Sequence, residues 1–103
     1  MSIPTSFELF GYTYKVELDQ EIWDVDENFG EMMWLQKLIK LVPWSKTIKR
    51  EQVEQTFYHE LVHAILSDMG KVELSRDDEF VDLFAQLLYQ YEKSRKGVLK
   101  KER

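Results

Sequence analysis

The feature that most constrains this chain is a change in the spacing of its apolar residues near Pro43. Before that point, residues 6–18 (SFELFGYTYKVEL) mix aromatic and β-branched residues with polar ones in rough alternation, which is typical of a β-strand. After it, apolar residues recur at the three- and four-residue spacing of one helix face. These residues are Val53, Phe57, Leu61 and Ala64. Strands followed by helices predict an α+β fold.

Residues that interrupt regular structure predict the boundaries of the strands. Gly11 is expected to mark a bulge or a turn, and the acidic residues 19–30 are expected to form a loop. Residues 31–42 fit either a helix or a hairpin. The run LIKLV before Pro43 favours the hairpin, because a residue that precedes proline avoids helical geometry. This region therefore predicts a second and a third strand.

Two helices are predicted in the second half of the chain. The first runs from about Ile48 to Met69 and stops at Gly70. The second starts near Ser75, where Ser75 and Asp78 stand at the spacing of a capping pair, with Asp in place of the usual Glu. The expected core stripe of this second helix consists of Val81, Phe84, Ala85, Leu88 and Tyr91.

The composition indicates one small domain that spans residues 1–103. The hydrophobic fraction of 44% supports a core and excludes a disordered chain. No apolar run of about 18 residues occurs and the start lacks the pattern of a signal peptide, so we expect a cytoplasmic protein without membrane contact. The absence of cysteine excludes disulfides and thiolate ligands. Any metal must therefore be held by histidine and carboxylate.

The net charge of −5 argues against binding to nucleic acid, which needs an excess of basic residues. Basic residues are nevertheless concentrated at the end of the chain, in KSRKGVLKKER. Residues 92–103 are expected to form a frayed basic tail whose charges complement the dipole of the last helix. A docking tail, or a segment that covers the protein's own cleft, is the alternative.

The stretch TFYHELVHAI contains both histidines of the chain. On a helix, His59 and His63 lie one above the other and can bind the same zinc ion. Glu60 lies about 100° around the helix from His59, where it can take a proton from a zinc-bound water, as the H-E-x-x-H pattern requires. Two histidines that merely lie at the edge of a core are the alternative.

The position of Glu60 on the helix supports the metal interpretation. By the ideal helical step Glu60 lies only about 20° from Val53, the centre of the apolar stripe. A buried carboxylate without a partner costs several kcal/mol or has its pKa raised. This placement makes sense if Glu60 faces a cleft that holds a metal.

A third zinc ligand has to be Asp or Glu, or the rarer Tyr, because catalytic zinc usually has three protein ligands and the chain has no third histidine. The candidates at the start of the last helix are Asp77, Asp78, Glu79 and Asp82. Glu79 has the longest reach and is the predicted ligand. Asp78 lies about 60° from Val81 by the ideal helical step, nearer the apolar stripe, and is its rival. Acidic residues in a first turn also favour the helix dipole without any metal.

HELVHAIL followed by LSRDDEFVDLFAQLLYQ resembles the short zincin-like metallopeptidases of phages and mobile elements, which are related to ImmA/IrrE-type proteins and to the minimal gluzincins. The resemblance covers about residues 39–91 and extends more loosely to FELFGYTYKVEL. It implies a small antiparallel sheet whose edge strand lies over the motif helix. LIKLV would be that strand, able to pair with an extended peptide.

By this resemblance His59 and His63 are the zinc ligands, Glu60 is the general base and Glu79 is the third ligand. Larger gluzincins carry an Asp four residues after that Glu, which supports a histidine, whereas Asp82 stands at three. The implied partner is a protein or peptide substrate in the cytoplasm, in particular a repressor of a phage or mobile element.

The predicted function is a zinc-dependent endopeptidase that hydrolyses peptide bonds with a Glu60-activated, zinc-bound water. Tyr58, Tyr89 and Tyr91 are the candidate donors to the oxyanion. Two alternatives stay open. One is a metal-binding interaction module with vestigial or masked peptidase activity, and the other is a domain that zinc stabilises without an open coordination position.

Overall fold

The computed structural model describes residues 3–26, 28–95, 97 and 99, and it confirms the α+β class. A four-stranded sheet is followed by helices. The strands are β1 (Ser6–Leu9), β2 (Tyr12–Leu18), β3 (Gly30–Met33) and β4 (Leu38–Leu41). The helices are α1 (Glu21–Asp26), α2 (Arg50–Asp68), α3 (Val72–Ser75) and α4 (Asp78–Ser94).

The predicted first strand is a hairpin of two strands, β1 and β2, which pair in antiparallel fashion. The chain reverses at Phe10 and Gly11, whose φ angles are 50° and 80°. Two consecutive positive φ angles are the requirement of the two-residue turn whose twist matches that of the flanking strands. Gly11 was predicted to mark either a bulge or a turn, and it lies in a turn.

The segment predicted as a loop, residues 19–30, contains the short helix α1, so this prediction is wrong for Glu21–Asp26. The Asp19 carboxylate accepts a hydrogen bond from the Glu21 backbone N–H at 2.9 Å, which satisfies a donor at the helix start. Ile22 is buried in the main core. Burial of this one side chain stabilises a turn of helix that the acidic composition of the segment does not favour.

The sheet has the order β1-β2-β4-β3, in which β2 and β4 are parallel and the other pairs are antiparallel. The predicted second and third strands are confirmed as β3 and β4. The prediction of an antiparallel sheet is wrong, because α1 and β3 return the chain to the starting end of β2. The prediction of LIKLV as the edge strand is also wrong, because β4 is paired on both sides and β3 forms the edge.

Helix α2 packs along the sheet and confirms the predicted first helix to within two residues at its start and one at its end. Its first half contributes Val53 and Phe57 to a core shared with β4 and α1. Its second half contributes Val62 and Leu66 to a second cluster shared with α4. The Tyr58 side chain packs against both clusters. The helix that carries HELVH is thus held by the sheet at one end and by α4 at the other.

A hydrogen-bonded cluster at the C-terminal end of α2 fixes that helix to the sheet. The Asp68 carboxylate accepts hydrogen bonds from the Tyr14 hydroxyl and from Nε1 of Trp34, both at 2.8 Å. The Lys37 ammonium lies 3.5 Å from the same carboxylate and 4.2 Å from the centre of the Trp34 ring. Burial and the hydrogen bond to Asp68 together raise the pKa of Tyr14 well above its ordinary value.

Helix α4 begins later than predicted and buries fewer of the predicted core residues. Its N-cap is Asp77, whose carboxylate accepts a hydrogen bond from the Phe80 backbone N–H at 3.1 Å, so the predicted capping pair at Ser75 is wrong. Ser75 instead ends α3. Val81 and Ala85 are buried as predicted, Leu88 is half-buried, and Phe84 and Tyr91 are exposed. Phe84 and Tyr91 lie on a second, exposed apolar face of α4.

The predicted basic tail, residues 92–103, coincides only in part with the described chain. Residues 92–94 belong to the last turn of α4, so they are helical. Residues 96, 98 and 100–103 lie outside the described residues. Within the described ranges, no helix combines the length and the apolar character needed to cross a membrane.

Candidate metal centre

The α2 helix brings the two histidine rings together as their spacing predicts. The two Nε2 atoms of His59 and His63 lie 3.2 Å apart. Two nitrogens that each lie about 2.0–2.1 Å from one tetrahedral zinc are separated by about 3.3 Å. The donor atoms therefore already stand at the separation that a shared zinc ion requires.

The other ring nitrogen of each histidine is held by a side chain from outside α2. Nδ1 of His59 lies 2.8 Å from a carboxylate oxygen of Asp82 on α4. Nδ1 of His63 lies 2.8 Å from the hydroxyl of Ser75, the last residue of α3. Metal-binding histidines commonly have this arrangement, in which a second partner orients the ring and sets its tautomer.

The contact with Asp82 determines which His59 nitrogen is free to bind a metal. An ionised carboxylate only accepts hydrogen bonds, so a neutral His59 beside Asp82 would carry its proton on Nδ1 and its lone pair on Nε2. That lone pair would face Nε2 of His63 at 3.2 Å. A neutral His63 can donate its Nε2 proton to this lone pair, and a metal ion would take the place of that proton.

The surroundings of His63 favour its neutral form, which is the form that binds metal. Burial lowers the pKa of His63, and the adjacent His59 lowers it further. The carboxylates of Asp78 and Asp82 oppose this effect and raise it. Asp78 is thus the residue of the first turn of α4 whose charge raises the pKa of His63.

Glu60 is nine-tenths buried beside the histidines. Burial raises its pKa from 4.5 to about 7, and the negative charge of Glu31 on β3 adds to the increase. Glu31 is the neighbour of Gly30 on the edge strand and pairs with Lys40 across the sheet. A carboxyl group with a pKa near 7 is suited to take and release a proton at neutral pH.

A cleft of about 380 Å³ opens beside these residues, between the edge strand and the two long helices. His59 and Glu60 line it from α2, and Asp82 and Tyr89 line it from α4. Gly30 lines it from the start of β3. The cleft therefore extends from the start of β3 to His59 and Glu60.

Within the described residues, no three His, Cys, Asp or Glu side chains form a group arranged to hold a metal ion. Asp77 caps α4, and Asp82 is the partner of His59. Glu79 is exposed and lies about 160° around α4 from the buried Val81 by the ideal helical step, whereas Asp78 lies about 60° from it. The structure brings His59, His63 and Glu60 together, and Glu79 as the third ligand stays a prediction.

Three residues contribute to the site in ways that the sequence did not indicate. Asp82 was a candidate ligand and is instead bonded to a histidine. Ser75 was expected to cap a helix and is instead the partner of His63. Glu31 belongs to no motif in the sequence. The usable signal is the spacing of Asp82, which is four residues after Asp78 and so has the gluzincin spacing, with Asp in place of Glu, if Asp78 is the ligand.

No family model, curated protein or solved structure matches this chain. The resemblance to zincin-like metallopeptidases therefore rests on HELVH and on the acidic residues of α4. It stays a prediction.

Proposed function

We propose that this protein is a zinc-dependent endopeptidase. The observation that carries the proposal is the pair of Nε2 atoms 3.2 Å apart, beside the buried carboxyl group of Glu60. Both rings are oriented by partners that do not belong to the motif, Asp82 and Ser75. A chance pair of histidines at a core edge needs none of these contacts.

The zinc ligands would be His59, His63 and one carboxylate from the first turn of α4. Glu79 is the ligand that the family resemblance implies. Asp78 is supported by its charge effect on His63 and by its position nearer the buried face of α4. With three protein ligands, one zinc position is left open, as in catalytic sites.

When bound, zinc would polarise the scissile carbonyl and lower the pKa of a water molecule. Glu60 takes a proton from the attacking water and passes it to the leaving amine. The carboxyl group is suited to both transfers because its pKa of about 7 lies near neutral pH. Burial of Glu60 also keeps bulk water away from the proton in transit.

The substrate would lie extended along β3, not along β4 as LIKLV suggested. β3 is the edge of the sheet, so its outer backbone groups are free of strand partners. A peptide that adds to this edge gains backbone hydrogen bonds and passes over the cleft beside Glu60. Gly30, at the start of this strand, lines the cleft.

The three tyrosines proposed as oxyanion donors differ in their positions. Tyr89 lines the cleft, but its hydroxyl donates to the buried carboxylate of Glu54 at 3.1 Å. Tyr91 is exposed on the second apolar face of α4. Tyr58 packs against the Phe57 and Tyr89 rings. Of the three, Tyr89 is the one that lines the cleft, and its hydroxyl would have to turn away from Glu54 to donate to the oxyanion.

The substrate class and location follow from the resemblance alone. The proposed substrate is a protein with an accessible extended segment, such as a repressor of a phage or mobile element in the cytoplasm. No role for nucleic acid or membrane is proposed. The second candidate is a metal-binding interaction module whose peptidase activity is vestigial or masked, and it would use the same pair of histidines.

The test of the function is Glu60→Gln in zinc-loaded protein. The variant should bind one equivalent of zinc and cleave an unstructured protein such as casein at least about 100-fold more slowly, because the proton acceptor is lost. Glu51→Gln is the matched control, an exposed acid on the same helix, and should cleave like the parent. A parent protein that binds zinc tightly but cleaves nothing would favour the interaction module.

A second pair of variants identifies the third ligand. Asp78→Asn and Glu79→Gln are each titrated with zinc against a chromophoric chelator. The variant that lacks the ligand should lose at least about 10-fold in zinc affinity, whereas the other should change little. Loss in neither variant would show that the first turn of α4 does not contribute a ligand.

A further inference from the structure

The cleft of the candidate metal centre continues into a second cavity along the groove between α2 and α4. This second cavity has a volume of about 620 Å³. Gln55, Gln86 and Tyr89 line both cavities, so the two spaces adjoin at these residues. Glu51 and Lys93 line the second cavity further along the two helices. A continuous groove therefore leads from the candidate metal centre towards the start of α2.

Contacts between the two helices give the direction and the length of this groove. Asp82 on α4 lies beside His59 on α2, and the Lys93 ammonium lies 3.4 Å from the Glu51 carboxylate. The helices are therefore antiparallel, and the groove extends along α2 from His59 back to Glu51. This part of the helix is about 12 Å long, which is the length of about three or four residues of extended chain.

The middle of the groove is lined by side chains that carry an amide group and no charge. They are two glutamines from each helix, all of them exposed. Each amide can donate hydrogen bonds through its NH2 group and accept them through its oxygen, as a peptide group does. These residues, here called the glutamine groove, are Gln52, Gln55, Gln86 and Gln90.

The charged groups that border the glutamine groove are paired within the protein. Asp82 lies beside a histidine, and Glu51 forms an ion pair with Lys93. The buried Glu54 carboxylate accepts a hydrogen bond from the Tyr89 hydroxyl at 3.1 Å. The groove therefore offers amide groups to a ligand, and it is suited to a polypeptide backbone rather than to one charged side chain.

The glutamine groove begins where the edge strand of the sheet starts. Gly30, the first residue of β3, lies against Thr56 of α2. Trp34, just after the strand, donates a hydrogen bond to Asp68 at 2.8 Å, so β3 runs along α2 from Thr56 towards the end of the helix. An extended chain that pairs with β3 would lose its strand partner at Gly30, which lines the same cleft as Gln55.

We propose that the glutamine groove binds the backbone of the substrate chain beyond the start of β3. The side-chain amides of Gln55, Gln86 and Gln90 hydrogen-bond to the peptide groups of about three or four extended residues. Because every sequence has such peptide groups, this binding does not depend on the side chains of the substrate. This role presupposes the proposed function, since the chain in the groove is the substrate of the peptidase.

The first experiment measures binding to the full chain without metal, so that its result does not depend on cleavage. Isotope-labelled protein in a chelator is titrated with an acetylated and amidated peptide of about five alanine, serine and threonine residues, up to about 5 mM, which reaches millimolar affinity. The side-chain NH2 signals of Gln55, Gln86 and Gln90 should shift in nuclear magnetic resonance spectra and follow one binding curve. The signal of Gln36, exposed in the turn at the opposite end of β3, should not shift.

A double variant removes two of the amides without shortening the side chains. Gln55→Met combined with Gln86→Met should weaken binding of this peptide at least about 10-fold, because at least two hydrogen bonds are lost. Gln36→Met is the matched control and should bind the peptide like the parent. Circular dichroism checks that both variants are folded. An unchanged affinity of the double variant would overturn the proposal, as would equal shifts at Gln36 in the parent.

The second experiment uses zinc-loaded protein and separates the glutamine groove from the chemistry. The double variant should raise KM for casein at least about 10-fold with little change in kcat, because it loses binding that is equal in the ground state and the transition state. Cleavage with an unchanged KM would overturn the groove and leave the peptidase standing.

The two experiments together distinguish failure of the groove from failure of the proposed function. A parent that binds the short peptide through the glutamine groove but cleaves nothing would support the groove as the polypeptide site of an interaction module. A parent whose glutamine signals do not shift at any peptide concentration would overturn the groove, whether or not the protein cleaves casein.

Discussion

The three residues of the HELVH motif that carry chemistry owe their properties to different surroundings. His59 and His63 are oriented by hydrogen bonds to Asp82 and Ser75. Glu60 has no such partner and is affected mainly by burial, which raises its pKa to about 7. The motif provides the geometry of the metal donors, and the surroundings provide their protonation states.

Burial of Glu60 should make the metal-free protein less stable as the pH rises. Below its ordinary pKa of 4.5 the group is protonated in both the folded and the unfolded chain, so burial carries no charge penalty. As the pH rises through 4.5 to about 7, the unfolded chain loses this proton first and folding weakens. Above pH 7, burial of the ionised Glu60 lowers the free energy of unfolding by its full amount, about 3 kcal/mol.

Glu60→Gln removes this penalty, so it should stabilise the metal-free protein by about 3 kcal/mol at pH 8 and by almost nothing at pH 4. Urea unfolding in the presence of a chelator measures both values. The exposed Glu51→Gln control should change the free energy of unfolding by less than about 0.5 kcal/mol at either pH. An equal gain from Glu60→Gln at both pH values would mean that packing, not ionisation, is responsible.

At the scale of elements, the decisive contact is the close approach of β3 to α2. A Cβ atom added at Gly30 would lie 2.6 Å from Cγ2 of Thr56 and 3.2 Å from Cδ2 of Leu41. Glycine therefore allows the edge strand to lie directly against the motif helix. The cleft beside Glu60 owes its position to this approach.

Gly30→Ala should destabilise the protein by about 1–3 kcal/mol, since the new methyl group forces β3 away from α2. Thr56→Ser in the same chain should recover most of this loss. Serine lacks Cγ2 but keeps the hydroxyl that donates to the Gln52 carbonyl oxygen at 2.8 Å. Urea midpoints of the two single variants and the double variant give the coupling. Additive effects would contradict the proposed clash.

In both long helices, the local sequence pattern and the packing of neighbouring elements together decide which residues are buried. The stripe of Val53 and Phe57 predicted the face of α2 that meets the sheet, whereas Val62 and Leu66, which are buried against α4, lie outside that stripe. In α4 the apolar residues cover two faces, and periodicity cannot tell which one meets α2. Phe84 and Tyr91 were therefore predicted to be buried and are exposed.

At the scale of the whole molecule, the candidate metal site lies where α2, α3 and α4 meet. The histidines belong to α2, their hydrogen-bond partners to α3 and α4, and the nearest hydrophobic cluster joins α2 to α4. A zinc ion bound there with a ligand from α4 would cross-link two helices that already pack together. The site should therefore be formed before the metal arrives.

Zinc removal should lower the stability of the protein without unfolding it. At a free zinc concentration of 100 times Kd, binding adds about 2.7 kcal/mol to the free energy of unfolding. For a domain of this size the gain corresponds to an increase in Tm of about 10–20 °C. Thermal unfolding followed by circular dichroism, with zinc or with a chelator, measures the difference.

A variant with both His59→Asn and His63→Asn is the control, and its Tm should not respond to zinc. If the chelator instead abolished cooperative unfolding of the parent, zinc would be a structural requirement. That result would support the other alternative predicted from the sequence, a domain that zinc stabilises without an open coordination position.

The sequence by itself determined the features that depend on neighbours along the chain. The alternating and helical periods define the strands and helices, and four-residue spacing on one helix brings His59 and His63 together beside Glu60. Only the tertiary structure decided which strand forms the edge, which face of α4 is buried, and that Ser75 and Asp82 hold the histidines. These depend on contacts between elements distant in sequence, and no local pattern encodes which of several compatible surfaces will meet.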